Sequence, residues 1–86
     1  MFFVYVLRNE AGHHYTGFTS DLAQRLEQHN RGTTKSTKNR GPWVLIYQED
    51  VATRAAAMRR EKVLKSGQGR EELKRILSKK DPRSAG

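Results

Sequence analysis

Arg25 and His29 stand one helical turn apart in a stretch, residues 21–31, that reads as a helix. With Leu22 at zero and about 100° per residue, Leu26 falls at roughly 40°, Arg25 at roughly 300° and His29 at roughly 340°. Both cation-capable groups thus lie beside or within the leucine stripe. Together, at the edge of a buried face, they make a candidate anion site. Taken singly, each reads as well as an arginine snorkelling over apolar surface or a partly buried structural histidine. Glu61 poses the complementary problem. On the second helix, with Ala57 at zero, Leu64 falls at roughly 340°, Glu61 at roughly 40° and Lys65 at roughly 80°, so the carboxylate sits in the apolar face. An ionised carboxylate there is costly unless compensated, and it must hold a salt bridge or coordinate a metal. Tyr5 and Tyr15 are the third element: a suitable strand register brings both phenols to one face, although tyrosine in strands also serves ordinary packing. His13 and His14 lack zinc-ligand spacing and read as solvated turn residues.

These side chains need a scaffold. Phe2 to Leu7 is apolar on both alternating faces, as a central strand buried on two sides requires. Asn9-Glu10-Ala11-Gly12 reads as a turn, and His14 to Phe18 as the antiparallel partner strand. Gly17 inside it marks a bulge or a close backbone approach. Thr19 or Ser20 is suited to cap the first helix, with Asp21 in its first turn and Gly32 closing it. The loop from Gly32 to Pro42 is polar and cationic, has no apolar anchor, and is expected to be mobile without a ligand. Trp43 to Gln48 forms a third strand, with Trp43, Leu45 and Tyr47 on one face. Thr53 caps a second helix running to about Lys65, which Ser66-Gly67-Gln68-Gly69 breaks. Arg70 to about Lys79 is a third helix with Leu73, Ile76 and Leu77 in one stripe. The order β-β-α-β-α-α implies an α+β fold, a three-stranded, mainly antiparallel sheet flanked by helices. Residues 1–80 form one domain and residues 81–86 a frayed tail.

The chain has 86 residues, no cysteine, and 17 Lys plus Arg against nine Asp plus Glu, for a net charge of +8. Disulfides, thiolate-bound zinc and a cysteine nucleophile are excluded. So strong a positive field on a small surface attracts polyanions, nucleic acid first, with RNA as well as DNA open. The longest apolar run is too short to span a bilayer and no charged segment precedes it, so the expectation is a soluble, cytoplasmic protein without membrane contact. Arg31, Lys35, Ser36, Lys38 and Arg40 combine cations with a small hydroxyl residue directly after the helix bearing Arg25 and His29. This makes the 31–40 loop the expected docking element for phosphates, with Lys65 as a further contact.

Val4-Tyr5, followed ten residues later by Tyr15-Thr16-Gly17, resembles the paired motifs of the GIY-YIG nuclease superfamily. The resemblance continues through Arg25, His29 and Glu61. It is strongest to the small standalone bacterial branch of the URI-type nucleases, through His29-Asn30, Gly32, Ser36-Thr37, Pro42-Trp43, Leu45, Tyr47 and Glu49. Ala57, Arg60-Glu61, Leu64-Lys65-Ser66-Gly67 and Gly69-Arg70-Glu71 extend it.

The resemblance implies a metal-dependent DNA endonuclease in which Glu61 and the scissile phosphate hold Mg²⁺ or Mn²⁺. Arg25 would neutralise charge on the phosphoryl oxygens. Tyr5 would be the leading proton acceptor or relay, Tyr15 an orienter of phosphate or water, and His29 a second candidate base. The substrate would be structured or damaged DNA cut with low sequence specificity, by a monomer. The alternatives are a non-catalytic nucleic-acid-binding module and an accessory protein of a DNA-repair complex, working with a partner protein. Two positions depart from the family pattern: Phe18 stands where excision-repair relatives carry a lysine, and Leu73 near the place of a late asparagine.

Overall fold

The computed structural model describes residues 1–32, 34, 37, 38 and 40–80, with backbone alone for 78–80. The expectations for Lys35, Ser36 and the tail 81–86 lie outside the described residues. The elements are β1 (Phe2–Arg8), β2 (His14–Thr19), α1 (Leu22–Arg31), β3 (Val44–Val51), α2 (Arg54–Lys65) and α3 (Gly67–Lys80). The sheet order is β2-β1-β3 and both pairings are antiparallel.

The apolar run of β1 occupies the centre because its residues point into two cores. Val4 and Val6 face Ala57, Leu64 and Leu73, with Phe2, Phe18, Ile46 and Tyr47 around them. Tyr5 and Leu7 face the other way, against Trp43, Tyr15, Leu22, Leu26 and Leu45. Thus α2 and α3 cover one face of the sheet and α1 the other, an α+β sandwich of three layers. Leu64, 1% exposed, belongs to the first core; truncating such a leucine to alanine costs about 2–5 kcal/mol.

The expected common face for Trp43, Leu45 and Tyr47 is corrected by a bulge. Val6 pairs with Tyr47 but Leu7 pairs with Leu45, so Ile46 is an extra residue. Residues paired across strands share a face. Leu45 therefore joins the α1 side with Trp43, while Tyr47 joins the α2 side. The third strand also starts one residue later than expected and runs on to Val51. Trp43 is withdrawn from the ladder because the Asn30 side chain takes both its backbone groups. Trp43 N–H donates to Asn30 Oδ1 at 2.6 Å, and Asn30 Nδ2 donates to the Trp43 carbonyl at 3.1 Å.

The helix ends depart from the expected ones for reasons of hydrogen bonding. Asp21, not Thr19 or Ser20, caps α1, its carboxylate accepting from Gln24 N–H at 3.1 Å. Thr19 Oγ1 accepts from Asp21 N–H and holds the capping residue in place. An aspartate combines a good capping geometry with a negative charge at the positive end of the helix dipole. Thr53 caps α2 as expected. The third helix starts at Gly67 instead of Arg70, because Ser66 closes α2 and opens α3 at once. Its Oγ accepts from Gly69 N–H at 3.1 Å and its carbonyl from Arg70 N–H at 3.0 Å. Gly69 fits there because a β-carbon would fall 1.8 Å from the Val63 carbonyl oxygen. Arg60 then ties the layers, donating to both Glu49 oxygens of β3 at 2.9 Å and to Glu72 of α3 at 2.8 Å. Tyr47 O–H donates to the same Glu49 at 2.6 Å.

Candidate active site

On the α1 side of the sheet, Tyr5 of β1 lies opposite Gly17 of β2, and Tyr15 is two residues along on the same face. The last turn of α1 brings His29 down onto them. Leu22 and Leu26 pack in the core beneath the helix, which turns His29 fully inward and leaves Arg25 half-buried at the margin. Tyr5 and His29 are each 1% exposed. The Tyr5 hydroxyl and His29 Nε2 are hydrogen-bonded at 2.9 Å. The Tyr15 ring stands 4.7 Å from the imidazole and 6.3 Å from the Tyr5 ring, centroid to centroid. The register therefore brings both tyrosines to one place with His29.

Electrostatics assign protonation states to this cluster. Burial pushes the Tyr5 phenol above its ordinary value, against the pull of the Arg25 guanidinium, and the Glu61 charge adds to the rise. Burial, reinforced by Arg25, holds His29 below the ordinary histidine value. Near neutral pH the phenol keeps its proton and the imidazole is uncharged. Arg25 is stabilised as a cation chiefly by the Tyr5 hydroxyl, and its Nη1 donates to Gln28 Oε1 at 3.1 Å. With the guanidinium beside its oxygen, the phenol is free to turn its own O–H toward Nε2.

Glu61 sits at the rim of the buried face of α2 and not in its middle. Its side chain is 22% exposed and accepts from Lys65 Nζ at 3.2 Å. Ala57 and Leu64 take the buried positions instead. The salt bridge expected for it is therefore present, with a lysine one turn on as the cation. Among the described residues, no group of three or more His, Asp or Glu side chains is arranged to hold a metal ion. A single carboxylate open to water on one side still suits Mg²⁺ or Mn²⁺, which keep most of their waters and share the remaining positions with substrate oxygens.

The docking residues are dispersed. Arg31 is exposed and paired with Glu27 on α1. Lys38 and Arg40 are exposed. Lys65, about half-exposed, lines a groove with His14, Tyr15, Thr16, Arg70 and Leu73. The loop after α1, which has no apolar anchor, is held by a polar one at Thr37, which is 1% exposed. Its Oγ1 lies 2.7 Å from His29 Nδ1, and Trp43 Nε1 donates to its carbonyl at 3.3 Å. Periodicity carries no signal for Thr37, because hydroxyl residues are abundant in the loop; its one mark in the sequence is its place in the Ser36-Thr37 pair of the family resemblance. The Arg60 network is equally silent in the sequence; a lone Arg-Glu dipeptide does not name partners on two other elements.

The chain matches the family model described as the GIY-YIG catalytic domain over residues 1–74. It is 39% identical over 75 residues to UPF0213 protein SH2523 of Staphylococcus haemolyticus, covering 86% of this chain and 92% of that protein. A UPF0213 protein of Staphylococcus aureus is 40% identical over the same shares. Among solved structures, the solution NMR structure of UPF0213 protein BH0048 from Bacillus halodurans superposes with a TM-score of 0.55 at 34% identity, covering 88% of this chain and 85% of that one. Among the described residues, no helix is long and apolar enough to cross a membrane.

Proposed function

Because the chain belongs to the GIY-YIG family, alongside the UPF0213 proteins, we propose that it is a metal-dependent endonuclease that hydrolyses DNA phosphodiesters. The observation that carries this reading is the hydrogen bond between the buried Tyr5 hydroxyl and the buried His29 imidazole, with the Arg25 guanidinium beside the phenol.

In this reading Arg25 meets the non-bridging oxygens of the scissile phosphate, where its charge counts most as negative charge develops. As water attacks phosphorus, the Tyr5 oxygen takes a proton from it while the Tyr5 proton passes to His29 Nε2. A phenol pushed upward is a poor base alone, and the imidazole supplies the acceptor. Tyr15, tilted against His29, orients the phosphate or the water. The bond from phosphorus to the 3′-oxygen breaks, and solvent protonates the departing oxygen. Glu61 would hold Mg²⁺ or Mn²⁺, whose chemistry when bound is to polarise the phosphoryl group and stabilise the departing oxygen. Lys38, Arg40 and Lys65 would meet flanking phosphates, as would Arg31 once released from Glu27.

The candidate contacts are cations suited to phosphates and not to base edges, so in this reading sequence specificity is low. The substrate would be structured or damaged DNA, with RNA as an alternative polyanion. A non-catalytic binding module is the second reading, favoured by the Lys65 partner of Glu61 and by Phe18 and Leu73 in place of the family's lysine and asparagine. Cleavage of flapped, nicked, branched and linear DNA with Mg²⁺ or Mn²⁺ decides between them. Glu61→Gln is expected to keep the fold and DNA affinity and lose cleavage, its stability changing by no more than about 0.5 kcal/mol for a pair at the surface of one helix. Equal metal-dependent turnover in both proteins would remove Glu61 as the metal ligand, and no turnover in either would favour the binding module.

A further inference from the structure

Thr37 is the most deeply buried described residue between α1 and β3, and its groups are all engaged. Its N–H donates to the Thr34 carbonyl at 3.1 Å, and its own carbonyl accepts from Arg40 N–H at 3.2 Å and from Trp43 Nε1 at 3.3 Å. Trp43 is in turn clamped to Asn30, the residue after His29. The Thr37 hydroxyl is thus delivered to the imidazole by a framework with little freedom. At 2.7 Å, its contact with His29 Nδ1 is shorter than the Tyr5 contact at 2.9 Å. A neutral imidazole has one N–H donor and one acceptor nitrogen. Where the Tyr5 O–H donates to Nε2, the imidazole N–H lies on Nδ1, facing Thr37.

We propose that Thr37 is the positioning residue of His29: its hydroxyl accepts the Nδ1–H, which fixes the ring and keeps Nε2 as the acceptor facing Tyr5. The same residue joins the site to the cations that follow it. Thr37 is flanked by exposed Lys38 and is hydrogen-bonded through its carbonyl to the backbone of exposed Arg40. Phosphates docked on those side chains would bear on the residue that holds the acceptor, so Thr37 would couple docking to the reacting site. This goes further than the nuclease reading and rests on it only for the kinetic effect. Among the described residues, the groups facing the imidazole are Tyr5 of β1, Tyr15 of β2, Arg25 of α1 and Thr37 itself.

The test compares the whole protein with Thr37→Val, which keeps the shape and deletes the hydroxyl, and Thr37→Ser, which restores it. Imidazole ¹⁵N resonances read the tautomer directly, without any cleavage. Wild type and Thr37→Ser are expected to show His29 protonated on Nδ1 alone, and Thr37→Val to lose that single tautomer. With DNA, Thr37→Val should lower kcat by at least about tenfold at a KM within about twofold, and Thr37→Ser should recover most of it, since an orienting group acts through the base it holds. A wild-type His29 protonated on Nε2, or a mixture of tautomers, overturns the proposal before any variant is made, even if Thr37→Val fails to fold. Unmoved His29 resonances and unmoved kcat in a folded Thr37→Val also overturn it and leave the nuclease reading intact. A wild type that cleaves nothing, yet loses its His29 tautomer in Thr37→Val, supports the positioning and removes the nuclease reading instead.

Discussion

The Tyr5 phenol lies directly over the α-carbon of Gly17, so close that a β-carbon at residue 17 would fall 2.8 Å from the Tyr5 oxygen and 3.0 Å from Cζ. The two residues are register partners on β1 and β2, and the missing side chain of one makes the seat for the other. Gly17→Ala is expected to push the ring off its bond to His29 and to destabilise the protein by about 1–3 kcal/mol, the usual cost of overpacking. Urea unfolding measures the stability. Adding Tyr5→Phe, which removes the tighter of the two contacts, should restore part of it. A Gly17→Ala protein with wild-type stability would show that the sheet gives way at no cost.

Phenylalanine at residues 5 and 15 separates the ring of each tyrosine from its hydroxyl. Tyr5→Phe leaves His29 Nε2 buried without its hydrogen-bond partner and should cost about 1–3 kcal/mol as well as at least about tenfold in rate, about 1.4 kcal/mol of barrier. Tyr15 is less buried, so Tyr15→Phe should be close to wild type in stability and still slow. Thermal unfolding and single-turnover cleavage give the two readouts. Full activity in both variants would return the tyrosines to packing alone.

Acid should weaken both the fold and the activity through His29. Its folded value lies below the ordinary histidine value because burial and Arg25 disfavour the cation. The unfolded chain therefore binds the proton more readily. The stability from keeping the imidazole neutral is fully present above the unfolded value, near 6.5, and is lost as pH falls through the folded one. Tm should fall as pH drops from neutrality, and the cleavage rate with it as the proton acceptor is consumed. His29→Gln should flatten the Tm profile. A residual slope is expected from His14, which burial, Arg8 and Arg70 also hold low. An identical slope in His29→Gln and wild type would assign the acid sensitivity elsewhere.

Docking on the loop is tested at Lys38 and Arg40, both exposed. Removing a cation that meets a phosphate should reduce the magnitude of the log–log salt slope of DNA binding by about 0.7–0.9. The double change to alanine should weaken binding across unrelated DNA sequences to similar degrees. An unchanged affinity and slope would move the docking surface to the groove bearing Lys65, Arg70 and Lys74.

Local patterns determined much of this protein. The two-sided apolar run of Phe2 to Leu7 predicts a central strand, since burial on both faces leaves no polar alternation, and β1 is central. The leucines at 22 and 26 orient α1 and thereby turn His29 inward and Arg25 to the margin. The family resemblance names Tyr5, Tyr15, Arg25, His29 and Glu61 as candidate site residues without reference to the fold. Tertiary structure alone decided the rest. Whether Tyr5 and Tyr15 share a face depends on strand register, and the separation of Tyr47 from Leu45 onto opposite faces depends on one extra residue, Ile46, that the period-2 pattern of β3 does not reveal. Glu61 lies at the rim, not the centre, of its helix face because a helical wheel gives an angle and not the distance to the neighbouring layer. Asn30 removes Trp43 from its strand, and Thr37 reaches Nδ1 of His29, through hydrogen bonds between segments whose separation in space no periodicity encodes. Residue types and local spacing specify which side chains are available; only the closed chain specifies which donor meets which acceptor.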